Sequence, residues 1–290
     1  MSQGLIPERA RTEFDAAIAS LLRLRNSVLA EVALIVAVYV VGVLVVWRHY
    51  LFLETTTWYA TPSAGGSTLS PAGMWYGFVS LPIYQFLGAR WFFRLFIWGR
   101  FLWQVSRIDL KLVPTHPDRA GGLGFLSSSL YAFIPLATAA GTSLVAPLAD
   151  RIFYAGARLP DFKMEIAAGV ALLVAVFVGP LLVFVPRIVR TKRTGLLEYG
   201  VLAQRYVREF DGKWLRGGAP ADEPLVGSGD IQSLADLANS FQVIRTMRPA
   251  PIATRDVLAL AVAALVPMVP LLLTMMPLAE LLKLALNLLR

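Results

Sequence analysis

Five blocks of this 290-residue chain stay apolar over about the 20 residues that a helix needs to cross the hydrocarbon of a bilayer. They run Ser27–Trp47, Met74–Trp103, Phe125–Leu148, Ile166–Val185 and Val257–Met276. In hydrocarbon every backbone N–H and C=O must find a partner inside the chain, so blocks of this kind fold as helices. Composition points the same way. The chain is 57% hydrophobic and 16% charged, where soluble domains average about 25% charged. These numbers exclude an ordinary soluble enzyme, a disordered chain and a fibrous protein. The expectation is an all-α, polytopic membrane protein with about five transmembrane helices plus amphipathic cytoplasmic helices.

Four segments follow from this reading. Residues 1–26 form a cytoplasmic amphipathic helix, with Phe14, Ile18, Leu21, Leu22 and Leu24 near one side. Residues 27–186 hold four spans and a cytoplasmic HPDRAGGLG turn. Residues 187–255 form a cytoplasmic helical segment. Residues 256–290 carry the fifth span and a C-terminal amphipathic helix, Leu278–Leu289, with a polar stripe of Glu280, Lys283, Asn287 and Arg290. The first apolar block is too long for a signal-peptide core and reads as a retained span.

Lys and Arg set the orientation. Arg9, Arg11, Arg23 and Arg25 precede the first block, and a dense series from Arg187 to Arg255 follows the fourth. This places the N-terminus and the 187–255 segment inside. Within that segment, residues 187–215 read as one helix, with Leu196, Tyr199, Leu202, Tyr206, Phe210 and Trp214 at three- and four-residue steps. Residues 217–230 are a loop by composition. Asp230 is placed as the N-cap of a further helix that bears Leu234, Leu237, Phe241, Ile244 and Met247. That helix stops at Pro249 and Pro251. Aromatics such as Trp47, Tyr50, Trp58, Tyr59, Trp75 and Tyr76 flank the outer ends of the first two blocks, as an interfacial belt does.

The chain has no cysteine and two histidines, His49 and His116. Thiol chemistry, disulfides and histidine-rich metal sites are therefore excluded, and no cofactor is expected. The net charge is +8. Because the basic residues sit beside apolar blocks, anionic lipid headgroups are the expected partner, not nucleic acid.

The most distinctive string is Thr115–Leu126, THPDRAGGLGFL. One reading makes it a glycine-rich turn whose amides face an anion at a helix N-terminus, with polar help from His116, Asp118 and Arg119. The other makes it a tight connection in which Pro117 breaks a helix, Asp118 caps, and Gly121, Gly122 and Gly124 allow close packing. The second reading is favoured, since neither nucleotide-phosphate glycine motif is matched. Together with GSGDIQSLADLANSF (residues 227–241), this string resembles a group of uncharacterised bacterial multi-pass inner-membrane proteins. The resemblance covers those two stretches and implies a bacterial inner-membrane location, with no activity attached.

Arg90, Arg94, Arg100, Gln104, Arg107 and Lys111 fall within a sector of roughly 140° if residues 75–112 are one helix. Charges at membrane depth are costly and mark candidate function. The stripe reads either as an anion-attracting wall formed by Arg94, Arg100, Arg107 and Lys111, or as snorkelling side chains. Glu31 lies at a depth matching Arg90 and Arg94, so an intramembrane ion pair is expected there. In the third block Ser127, Tyr131, Thr138 and Thr142 share a face near Gly141. They can line a water-filled path, although small residues such as Ala137 and Gly141 more often serve helix packing.

No catalytic motif is present, so an enzyme is not expected. The first reading is an oligomeric channel or transport pathway with an anion-leaning basic face. The alternative is a non-transporting scaffold or signalling subunit that binds a protein partner through its cytoplasmic helices. Polar stripes that five spans cannot all satisfy suggest a homo-oligomer.

Overall fold

A computed structural model describes residues 4–46, 60–63 and 66–273 of the chain. The fold is all-α, 79% helical. A short antiparallel hairpin, Ala60–Ser63 with Gly66–Leu69, supplies its strands among the described residues and was not anticipated from sequence. Contacts divide the chain into two compact units, Thr12–Val105 and Met1–Arg11 with Ser106–Arg290.

In the Thr12–Val105 unit, α1 (Arg11–Arg25) meets α2 (Val28–Ala37) at a 47° bend. Ser27 starts α2 by accepting a hydrogen bond from Ala30 N at 3.3 Å, which satisfies one of the free amides of a first helical turn. The helix continues with π geometry over Val38–Val46. After the hairpin come α3 (Pro71–Trp75), a π turn and α4 (Leu81–Arg107). Phe14 on α1 packs against Phe101 on α4 with centroids 6.0 Å apart. Gly42 lets the backbone approach Gln85, whose Oε1 would lie 2.0 Å from a Cβ placed there. The outer surface of α2 is apolar, with Val28 and Leu29 72% and 80% exposed. Such a face is at home in lipid or against another chain.

The other unit begins with an extended segment and the glycine-rich connection. It continues through α5 (Phe125–Ser128), α6 (Ile134–Ala155), α7 (Lys163–Val178), α8 (Val185–Phe210), α9 (Gly229–Arg245), α10 (Thr254–Leu265) and α11 (Val269–Leu272). Helix α10 lies along α6 and also touches α7, while α9 packs on α8. Phe177, Phe184, Leu130, Leu181, Ile188 and Ile244 are fully buried in this unit. Prolines explain the repeated tightening of its helices. Turns of 3-10 geometry at Ser129–Phe133, Gly179–Phe184 and Val266–Met268 each precede a helix with proline in its first turn. Proline has no N–H to give the preceding turn, so it restarts a helix more easily than it continues one.

Three helical runs are long and apolar enough to cross a membrane: Phe125–Phe153, Leu159–Leu215 and Thr254–Leu272. The bent pair Glu8–Arg25 and Val28–Gly42 makes a fourth if taken as one span. This is fewer than the five expected. The block Met74–Trp103 falls short because Arg90, Arg94 and Arg100, with its tryptophans, tyrosines and Gln85, lower its hydropathy.

A 57-residue helical run crosses the boundary drawn at residue 187 between the membrane and cytoplasmic segments, because the 3-10 turn at Gly179–Phe184 joins α7 and α8. Two other expectations change. The 187–215 helix changes to π geometry over Asp211–Leu215. The long helix expected over 75–112 ends at Arg107, so Lys111 lies beyond it and its backbone N–H donates to Leu5 O at 2.9 Å. The C-terminal helix at 278–289 and the aromatics Trp47, Tyr50, Trp58 and Tyr59 lie outside the described residues.

Candidate functional site

The connection before α5 is built around one carboxylate. Asp118 Oδ1 accepts from Ala120 N at 2.8 Å and Gly122 N at 3.2 Å, and Oδ2 accepts from Gly124 N at 2.7 Å. His116 Nδ1 lies 2.9 Å from Oδ1. The backbone curls tightly enough that Arg119, Gly121 and Gly122 take φ values of 55°, 70° and 97°. At Gly122 a side chain would also press on Leu5, with a Cβ 3.3 Å from the leucine Cδ2. Burial pushes the Asp118 carboxyl up. The three amides and His116 outweigh it and hold the carboxyl below its usual range. The ring of amides that resembles an anion cradle is thus filled by a carboxylate of the same loop.

Two more segments clamp this connection. Arg248 Nη2 donates to Asp118 O at 2.9 Å, its Nη1 to Ile252 O at 3.0 Å, and its backbone N–H to Arg119 O at 2.8 Å. Lys192 Nζ on α8 donates to Met247 O at 2.8 Å. Gly195 brings α8 against the loop, where a Cβ would lie 2.7 Å from Pro114 Cβ. Arg248 and Lys192 were not singled out by the sequence, where they are two members of a long basic series.

The hydroxyl face of the third block is divided. Ser127 donates to Asp256 and accepts from Ala253 N at 2.8 Å. Arg255 Nε lies 3.2 Å from the other carboxylate oxygen of Asp256. Asp256 is 1% exposed. It was missed in sequence as one carboxylate at the start of a span. Further along the helix Thr138 and Thr142 donate to carbonyls of their own helix, Ile134 O at 3.2 Å and Thr138 O at 3.0 Å. Next to them Ala137 and Gly141 are buried. The backbone of α10 lies against Gly141, so a Cβ there would come 2.1 Å from Ala264 O.

The arginines of α4 also have assignments. Arg90 Nη2 is 2.7 Å from Glu31 Oε1. Arg94 lies over the ring of Trp91, 5.0 Å from its centroid. Arg100 Nη1 donates to Ser20 Oγ at 2.9 Å. The carbonyl of Arg107 accepts from Arg187 at 3.0 Å. A 530 Å³ cavity opens where α1, α2 and α4 meet, with Arg25, Arg90, Arg94 and Glu31 in its wall.

At the far end of α8, Asp230 does not serve as the expected cap. Ser228 occupies the N-cap position of α9 and makes no side-chain capping bond. Asp230 instead accepts from Lys213 Nζ at 2.8 Å and Trp214 Nε1 at 2.9 Å, and these two donors hold its carboxyl below the usual range. Lys213 also reaches Glu223 at 2.6 Å. The π-helical end of the α8 run, the following loop and α9 are thereby pinned together. Among the described residues no group of three or more His, Asp or Glu side chains is placed to hold a metal ion.

No protein-family model matches the chain, and no curated protein or solved structure shows significant similarity to it.

Proposed function

We propose that this chain is an integral membrane protein that works as a scaffold or signalling subunit, presenting the α8–α9 pair to a protein partner. The observation that carries this reading is the continuity of Leu159–Leu215. At about 1.5 Å per residue, a 57-residue helical run is roughly 85 Å long, against about 30 Å of bilayer hydrocarbon. More than half of it therefore projects. The projecting part leaves Leu197 and Val201 66% and 69% exposed, more apolar surface than an isolated soluble helix needs. The donation of the Ser127, Thr138 and Thr142 hydroxyls to acceptors of the protein itself supports the same reading. The basic series around α8 supports an inner-side position for this end, and the resemblance of two stretches to bacterial inner-membrane proteins is in keeping with it.

A second reading, an oligomeric anion-leaning pathway, is favoured by the arginines of α4 and the apolar outer face of α2. Reconstitution into liposomes separates the two. The scaffold reading expects no anion flux above empty vesicles, together with a discrete adduct when a photo-crosslinker is placed at Val201 in cells. A chloride conductance that changes sign of selectivity on Arg94→Glu establishes the pathway reading instead.

A further inference from the structure

We propose that the cavity among α1, α2 and α4 binds the phosphate of an anionic phospholipid. Its wall carries three guanidinium groups, from Arg25, Arg90 and Arg94, against one carboxylate, Glu31. Glu31 pairs with Arg90. Among the described residues no carboxylate lies within ion-pair distance of Arg25 or Arg94, so the cavity keeps an excess of two positive charges. Guanidinium is the group best matched to phosphate, because its planar donors meet two oxygens at once.

The remaining wall says which phosphate. Leu34, Phe93 and Ile97 line the same cavity and are apolar. A free phosphate leaves such surface uncovered, whereas a lipid covers it with the first carbons of its acyl chains. The position fits as well. The cavity lies at the 47° elbow where amphipathic α1 gives way to apolar α2, and an elbow of that kind belongs at headgroup level. This assignment is independent of whether the chain conducts ions or docks a partner.

The test uses the full chain, purified in neutral detergent and stripped of lipid. Bound lipid is counted by native mass spectrometry during titration with phosphatidylglycerol, phosphatidylcholine or inorganic phosphate. One tightly held phosphatidylglycerol is expected, with weaker phosphatidylcholine binding and no competition from millimolar phosphate. The double variant Arg25→Gln/Arg94→Gln should weaken phosphatidylglycerol binding by about tenfold or more. Arg25→Lys/Arg94→Lys, which keeps both charges but not the planar donors, should bind more weakly than wild type and more tightly than the glutamine variant, and controls for folding. Arg208→Gln, on α8, should leave it unchanged. Equal affinity for both lipids, or undiminished binding in the glutamine double variant, overturns the site. Full displacement by inorganic phosphate overturns the lipid as its source.

Discussion

Gly141 and Ala264 meet backbone to backbone: a Cβ on Gly141 would sit 2.1 Å from the carbonyl oxygen of Ala264. No rotamer relieves that contact, since neither atom belongs to a flexible side chain. Gly141→Ala must separate α6 from α10, the pair on which the core of this unit rests. Overpacking of a fitted interface costs about 1–3 kcal/mol, and a backbone clash belongs at the upper end. Melting in detergent should fall clearly for Gly141→Ala, and Ala264→Gly should not restore it. Gly88→Ala is the comparison. Nothing lies within 4 Å of that position, and replacing a helical glycine there should stabilise by up to about 1 kcal/mol.

Asp118→Asn should destabilise the protein by about 1–3 kcal/mol near neutral pH, because an amide nitrogen then faces one of the three backbone donors. The pH dependence has a definite sign. The folded carboxyl titrates below its unfolded value of about 4. Its contribution is therefore complete above that value and is lost as the pH falls through the lower, folded one. The gap in stability between wild type and Asp118→Asn should stay constant from pH 7 to 5 and narrow below pH 4. A gap that widens in acid contradicts the amide-filled geometry.

Ser127→Ala removes both the donor to Asp256 and the acceptor for Ala253 N–H. The buried Asp256 and the half-buried Ala253 N–H each lose a partner, at a cost of about 1–3 kcal/mol. Tyr131→Phe leaves the Ser127 and Arg255 contacts in place and should cost less. Thermal melts of both variants, read beside vesicle flux, assign Ser127 to structure if stability falls and permeability does not change.

For Arg90 and Glu31 a double-mutant cycle is the appropriate measurement. Both side chains are 43% exposed, so in detergent the coupling between Glu31→Gln and Arg90→Gln should be modest, about 0.5–1 kcal/mol. The same cycle in nanodiscs should give a larger value, because water no longer screens the pair.

The sequence made the local features legible and left the long-range ones hidden. The apolar blocks starting at Phe125, Ile166 and Val257 lie within helical runs that can span a bilayer, and their hydropathy needed no partner to be read. The role of Asp118 was also accessible, since an aspartate before closely spaced glycines invites short-range capping. Asp256 was not, because its partner Ser127 is 129 positions away. The join between α7 and α8 was missed for another reason. The apolar block ends at Val185, where the arginines begin, yet the 3-10 turn at Gly179–Phe184 absorbs the missing N–H of Pro180 and the helical run continues beyond it. Asp230 looked like a cap by residue type and position, but a charged donor on Lys213 binds its carboxylate in place of the backbone amides.

The self-filled glycine loop also sets a competition. A carboxylate tethered two to six residues from its donors acts at an effective concentration far above that of any dissolved anion, at least millimolar by the arithmetic of short tethers. Phosphate from the surrounding solution would have to displace a ligand that cannot diffuse away. The loop's amides are in practice closed to dissolved anions, so the fold of the loop itself does not rise and fall with the metabolite levels around it.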